Sequence, residues 1–344
     1  MRKTAVVKIV SALAFAASAV TLASGPALAD PPAGTTPAAT AIVGVGSDTI
    51  EAVFNQYSAD YTGTPKLYSW DATGTSPITT KTGATSITRP NGSSAGITAL
   101  NGTTDTTIDF ARSSRGLAST DPANDYFIPF AKDAVSWAAD ATGDAPANLT
   151  TADLKAIYGT CTITKWSQIT DIPGYTGSTN TIQAYLPQTS SGTRSFFLGA
   201  IGVTTPGACV ETTTVEENEG SNTLLQTADA LVPYSVAHYI GQVYGGHGSG
   251  TDVQGPLTVR SIDGIAPINT TTDVINASFA TSAYGRNVYD VVRGTDWNAG
   301  NAHATALKAL FSNTGWLCTN ATAKADTASY GFLALASCGL VQHN

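Results

Sequence analysis

From Ala41 onward, short apolar runs alternate with turns rich in Gly, Ser and Thr. Ala41-Ile42-Val43-Gly44-Val45 predicts a buried strand. Gly46-Ser47-Asp48-Thr49 then leads into a helix carrying Val53, Phe54 and Tyr57 on one face, with Asp48 as the expected cap. Residues 61–90 predict short strands and loops, with Tyr68 and Trp70 packed inside. Gly92-Ser93-Ser94-Ala95-Gly96 opens a second helix, and Ile108-Asp109-Phe110-Ala111 is a strand. Residues 125–139 predict buried extended chain, and 149–159 a capped helix ended by Gly159. Further on the pattern predicts a helix beginning at 216–222, a strand at 231–236, a hairpin at 257–265, a strand at 288–292 and a helix at 304–311. Tyr330-Gly331-Phe332 closes the fold. Strand and helix alternating in this way predict an α/β architecture with largely parallel sheets.

One turn stands out chemically. Gln188-Thr189-Ser190-Ser191-Gly192-Thr193-Arg194 runs straight into an apolar helical pattern. Ser190, Ser191 and Thr193 are good helix caps, and Gly192 admits a close approach of backbone to a ligand. The first N–H groups of the helix lack intrahelical partners and suit a small anion, while Arg194 adds a planar charged fork. Ser47, Asp48 and Thr49 repeat this chemistry ahead of the first helix, as do Ser93 and Ser94 ahead of the second. Arg112-Ser113-Ser114-Arg115 places two guanidinium groups beside two hydroxyls. Gly92 to Gly96 also fits the G-x-S-x-G spacing of a hydrolase nucleophile, but Arg89-Pro90-Asn91 stands where such an elbow needs an apolar strand. A secreted hydrolase using Ser94 or Ser191, with His238 or His303 as base, is therefore the alternative reading. No metal-ligand spacing occurs and no cofactor is expected.

Composition narrows the setting. Arg2, Lys3 and Lys8 precede an apolar run and Ala27-Leu28-Ala29, which together predict an export signal over residues 1–29. A Pro-, Gly- and Thr-rich leader at 30–40 follows, expected to be flexible. No cysteine follows the cleavage site to take a lipid, and no later segment predicts a membrane span, so a secreted or extracytoplasmic protein is expected. The net charge of −8, made more negative by loss of the three leader cations, argues against nucleic acid as a partner. Cys161, Cys209, Cys318 and Cys338 are expected to form two disulfides. Of the three possible pairings the nearest-neighbour one, Cys161 with Cys209 and Cys318 with Cys338, is favoured.

The ordered set of motifs resembles the substrate-binding proteins of phosphate ABC transporters, the PstS-type family. It comprises Gly46 to Thr49, Gly92 to Gly96, Ile108 to Ala111 with its serines, Pro129-Phe130-Ala131-Lys132-Asp133-Ala134-Val135, residues 149–166, and Ser191-Gly192-Thr193-Arg194. The resemblance implies a type II periplasmic-binding-protein fold: two α/β lobes, 41–129 with 238–344 and 130–237, joined by hinge strands that close over an anion. It implies that Ser47, Asp48, Thr49, Ser93, Ser94, Arg112, Ser113, Ser114, Arg115, Ser190, Ser191, Gly192, Thr193 and Arg194 converge on that anion, most simply phosphate. It further implies a monomer that delivers its ligand to a membrane transport complex. Two positions depart from the family. Ser114 stands where an aspartate accepts the proton of hydrogen phosphate, and Pro187 where an arginine stands. Arg194, Arg112 or Arg115 are the candidates for the missing charge, and Asp48 or Asp133 for the missing acceptor. A secreted scaffold protein that has lost its ligand is a further alternative consistent with these departures.

Overall fold

The computed structural model describes residues 30–32 and 34–343; the expected export signal lies outside them. Ten strands form one sheet: β1 (Ile42–Gly46), β2 (Leu67–Ser69), β3 (Phe110–Ser113), β4 (Asp125–Asp140), β5 (Gln183–Pro187), β6 (Val210–Val215), β7 (Ala230–Ser235), β8 (Leu257–Val259), β9 (Gly285–Arg293) and β10 (Leu333–Ala334). The order is β2-β1-β3-β9-β4-β7-β5-β6, with β8 and β10 also on β4. The outer pairs β1–β2, β1–β3, β5–β6 and β5–β7 are parallel, and every pair made by β4 or β9 is antiparallel. The sheet is thus mixed around its centre, where the chain crosses back.

The 16-residue β4 organises the molecule by changing partners midway. Residues 125–134 pair with β9, and residues 135–140 pair with β7 and β8. Its near-continuous apolar run, buried along almost its whole length, is the pattern of a strand covered on both faces. Over the first half of the sheet, α1 (Glu51–Asp60) and α2 (Ser93–Asn101) lie on opposite faces. Phe54 of α1 packs on Phe110 and Phe130, whereas Ile97 and Leu100 of α2 join Val45, Ala111 and Val291. Successive strand residues point to opposite faces, so Phe110 and Ala111 belong to different cores. The second half of the sheet carries α3 (Gly192–Ala200), whose Phe197 meets Tyr158 edge-on. Next in the chain come α4 (Val236–Val243), α5 (Ala302–Phe311) and α6 (Ala321–Ser329).

Several sequence expectations are corrected here. Ile50, not Asp48, occupies the N-cap of α1; Asp48 contributes only its carbonyl to Glu51 N–H, at 2.9 Å. Residues 216–222 form no helix, because Glu217 is drawn inward by a tertiary hydrogen bond and Asn218 takes a left-handed φ of 64°. The hairpin expected at 257–265 is replaced by longer-range pairing. Leu257–Val259 lies on β4 and Ser261–Ile262 on Asn148–Leu149. The helix after Thr150 has its capping box with Asp153, then widens over Ala156–Thr160 and stops at Cys161 (φ 54°), which is tied to Cys209. At the start of the 30–40 stretch, the Asp30 carboxylate takes two hydrogen bonds from the buried Arg89, at 2.7 and 2.8 Å. Beyond Phe332 the chain continues into β10 and bridges Gln342 to Phe127. Tyr68 and Trp70 are half-buried rather than inside. Both disulfides form as favoured, Cys161–Cys209 and Cys318–Cys338.

Candidate functional site

The turns leading into α1 and α2, the end of β3 and the start of α3 meet at one point. Ser191 caps α3 by accepting from Arg194 N–H at 3.0 Å, which leaves the N–H groups of Gly192 and Thr193 at the open end of the helix. Gly192 lies so close to the first half of the sheet that a Cβ there would stand 2.3 Å from Ser93 Oγ and 2.4 Å from Ser114 Oγ. No side chain fits, and the backbone of α3 therefore rests directly on those two serines. Beside it Ser94 N–H donates to Ser190 O at 3.0 Å, and Gln188 reaches Asn91 at 3.2 Å.

Four buried hydroxyls form the centre. Ser93 Oγ accepts from Ser114 N–H at 3.0 Å and lies 3.3 Å from Ser114 Oγ. Thr49 Oγ1 lies 3.2 Å from Ser114 Oγ, 3.0 Å from Thr193 Oγ1 and 2.9 Å from Glu217 Oε2. A hydroxyl has one hydrogen, and Glu217, a carboxylate, is the strongest acceptor within reach of Thr49. Thr193 in turn receives Nη2–H of Arg286 at 3.0 Å. The chain of donation therefore runs Arg286 to Thr193 to Thr49 to Glu217, with a cation at one end and a carboxylate at the other. Both ends are almost fully buried, and each keeps one polar atom, Arg286 Nη1 and Glu217 Oε1, without a partner among the described residues. Arg286 is fixed by Asp133, Nε to Oδ2 at 2.9 Å, and lies over the ring of Phe196 at 5.6 Å. Asp133 also accepts from Ser235 Oγ and Ala237 N–H, so its acceptor capacity is committed.

The other expected residues sit around this centre. Ser47 is buried; its N–H donates to Arg112 O, and the Arg112 side chain donates back to Ser47 O, both at 3.0 Å. Arg112 turns toward Ser47 O, Ser69 Oγ, Trp70 O and, at 3.5 Å, Glu51. Ser113 bonds Arg115 O, and Arg115 forms a two-pronged pair with Asp121 while donating to Ser94 Oγ at 3.1 Å. Arg194 donates to Pro187 O and Thr212 O. The three arginines singled out in the sequence thus direct their hydrogen bonds elsewhere, with the buried Arg112 Nη2 left without one among the described residues, and Arg286 is the guanidinium that meets the four hydroxyls. Neither serine weighed as a nucleophile meets a histidine: Ser94 bonds Arg115, Ser191 caps α3, His238 is engaged by Thr49 O and Asp252, and His303 lies 3.5 Å from Asp109.

Asp48 takes a hydrogen bond from Asn218 at 3.3 Å. Burial, and then the carboxylates of Glu51, Glu217, Asp252 and Glu216, raise Asp48 well above the ordinary carboxylate range. Burial likewise raises Glu216, against the hydrogen bonds it accepts from Asn91. Both shifts favour the neutral acid and weaken repulsion of an anion. Sequence reasoning passed over Arg286 and Glu217. The one signal for Arg286 is register: it alternates with Val288 and Asp290 along β9, so the strand that buries those residues turns the guanidinium inward too.

The chain matches the family model described as a PBP superfamily domain over residues 31–330. Its fold is similar to a putative phosphate ABC transporter substrate-binding protein with bound phosphate from Clostridium perfringens (TM-score 0.59, 16% identity, 86% of this chain and 99% of that one). It is also similar to an ABC-type phosphate transport receptor from Vibrio cholerae (TM-score 0.54, 18% identity, 86% and 100%). A phosphate-binding protein from Stenotrophomonas maltophilia matches with TM-score 0.52 and 15% identity, over 87% and 91%. Among curated proteins none matches the sequence. No helix of the described residues is long and apolar enough to cross a membrane.

Proposed function

Because the chain belongs to the PBP superfamily, we propose that it is an exported solute-binding protein that captures a small oxyanion, phosphate foremost, between two lobes. The observation that carries this reading is the buried hydroxyl chain strung between Arg286 and Glu217. Hydroxyls that bond one another across two packed elements can turn toward an oxyanion, which then receives their hydrogens together with those of Arg286 and the end of α3. Glu217 is an acceptor, and only an anion that still carries a proton satisfies it; a fully ionised sulfate would face an unpaired carboxylate. Arg286 and Glu217 thus take over the charge and acceptor roles that Pro187 and Ser114 do not fill.

The lobes correspond to 41–129 with 238–344 and to 130–237, and the change of partners within β4 at 134–135 supports a hinge close to that boundary. Thr49, Ser93 and Ser114 come from one lobe and Thr193 from the other, so a ligand held by all four favours the closed state over an open one. The protein works outside the cytoplasm as a monomer, handing its ligand to a membrane transport complex. That partner is inferred from the similar structures, an ABC-type phosphate transport receptor and a putative phosphate ABC transporter substrate-binding protein.

Thermal unfolding of the phosphate-stripped mature protein tests the reading. Phosphate at 100 times its dissociation constant is expected to add roughly 2.7 kcal/mol, with a much smaller gain from sulfate. Thr193→Val, which leaves the Arg286–Asp133 pair in place, is expected to weaken phosphate at least about tenfold, the size of one lost buried charge-assisted hydrogen bond. Glu217→Gln is expected to narrow the preference for phosphate over sulfate. No stabilisation by phosphate, arsenate or sulfate would sink the proposal.

A further inference from the structure

Next to the hydroxyl cluster lies a cavity of about 550 Å³, open to solvent, between the loop after β3, the start of β9 and the outer side of α3. Its walls include Arg115, Leu117, Lys132, Phe196, Arg286 and Tyr289, and no Asp or Glu lines it. In a chain with 17 Lys and Arg against 25 Asp and Glu, three cations around one cavity form a local concentration of positive charge. Arg115 is matched by Asp121 and Arg286 by Asp133, whereas Lys132 has no carboxylate partner among the described residues. Arg286 belongs both to this cavity and to the oxyanion centre, where it bonds Thr193, and its buried Nη1 has no partner. The two spaces therefore share one guanidinium.

A bare tetrahedral oxyanion has no use for the cavity: it would fill a small part of the volume and gain nothing from Phe196, Tyr289 or Leu117. Organic ligands occupy clefts and cavities of about 300–1,000 Å³ with largely apolar walls and a few fixed polar groups, and this open cleft matches that range in volume and lining. Building on the oxyanion reading, we propose that the preferred ligand is a phosphate monoester. Its phosphoryl group sits on Thr49, Ser93, Ser114, Thr193 and Arg286, and its organic group lies in the cavity against Phe196, Leu117 and Tyr289, with Lys132 facing the ester side of the molecule. The monoester monoanion carries both the negative charge that pairs with Arg286 and the proton that Glu217 accepts, and its ester oxygen leads outward. Arg286, already over the ring of Phe196, gives an aromatic group a second flat face to stack on.

Calorimetric titration of the mature protein with inorganic phosphate and with phenyl phosphate at about pH 5, below the second ionisation of the ester at about 6, decides the matter. Phenyl phosphate is expected to bind at least about tenfold tighter than inorganic phosphate. In a Leu117→Ala, Lys132→Met variant that ratio is expected to fall by at least about threefold. Phosphate binding with phenyl phosphate equal or weaker would overturn this proposal and leave the oxyanion reading standing. Tighter phenyl phosphate with a ratio unmoved by the variant would also overturn it, since the organic group would then lie elsewhere. Binding of neither would remove the oxyanion reading and this proposal together.

Discussion

At the scale of single residues, the approach of α3 to the first half of the sheet depends on the absence of one carbon. A methyl at Gly192 would lie well inside contact distance of Ser93 Oγ and Ser114 Oγ, and neither serine has room to retreat, since both are fully buried. Overpacking of this kind costs about 1–3 kcal/mol when the surroundings cannot move. If the two sides can separate at the hinge, the cost falls on closure instead of folding. Gly192→Ala is therefore expected to weaken phosphate at least about tenfold, with little change in the melting temperature of the unliganded protein. Titration and melting of the same variant check this, and unchanged affinity would mean that the close approach is not part of the bound state. The glycine was legible in the sequence because it stands in a helix-opening turn among hydroxyls. Arg286 was not, because its alternation with Val288 and Asp290 is a faint signal that an arginine at a solvated strand end shares, and its burial is settled by the distant Asp133.

At the scale of elements, α4 is tied to the turn before α1 through His238. Its Nδ1 lies 2.9 Å from Thr49 O and its Nε2 2.5 Å from Asp252 Oδ1. Both neighbours are acceptors, so both ring nitrogens carry hydrogen and the imidazole is charged. Burial opposes that charge, but Asp252, the hydrogen bonds to Asp252 and Thr49, and Asp133 outweigh it and push His238 up to about 9 from an ordinary 6.5. The folded value is the higher, so the stabilisation is complete below pH 6.5 and is lost as pH rises through 9. A displacement of this size is worth on the order of 3 kcal/mol at most, reduced by the partial exposure of Asp252. Melting temperature is expected to fall between pH 7 and about 9.5, and to fall distinctly less in His238→Gln. Equal slopes in the two proteins would show that the link contributes nothing. Because Thr49 carries both this link and the hydroxyl chain, the same titration is expected to weaken phosphate.

At the scale of the whole molecule, two disulfides brace different regions. Cys161–Cys209 closes a separation of 48 residues in the second half of the sheet, and Cys318–Cys338 closes 20 near the C-terminus. Loop-closure entropy assigns them roughly 4 and 3 kcal/mol. Replacing Cys161 and Cys209 by Ser is expected to lower the unfolding free energy by about 2–4 kcal/mol in urea while leaving phosphate affinity unchanged. A loss below about 1 kcal/mol would mean that the surrounding core, with Tyr158, Trp166 and Phe197 fully buried, already constrains that region.

Local pattern determined the elements whose ends are marked by local chemistry. The strand at Ile42, the helix capped by Ser191, the long buried β4 and the four polar turns can all be read from residues a few positions apart, because caps, glycine and apolar period act over one or two turns of chain. Where a distant partner outbids the local preference, the pattern misled: Glu217 leaves a helical sequence to meet Thr49, and Leu257 and Ile262 leave a hairpin for strands far away. The antiparallel centre of the sheet and the charged ends of the site were decided only in three dimensions. Arg286 and Glu217 are 69 positions apart and lie 93 and 168 positions from the threonines they bond. No periodicity in sequence records such a meeting. It is the packing of β9 against β4, and of the 216–222 loop against the turns before α1 and α2, that buries both charges and leaves the hydroxyl chain as their common partner.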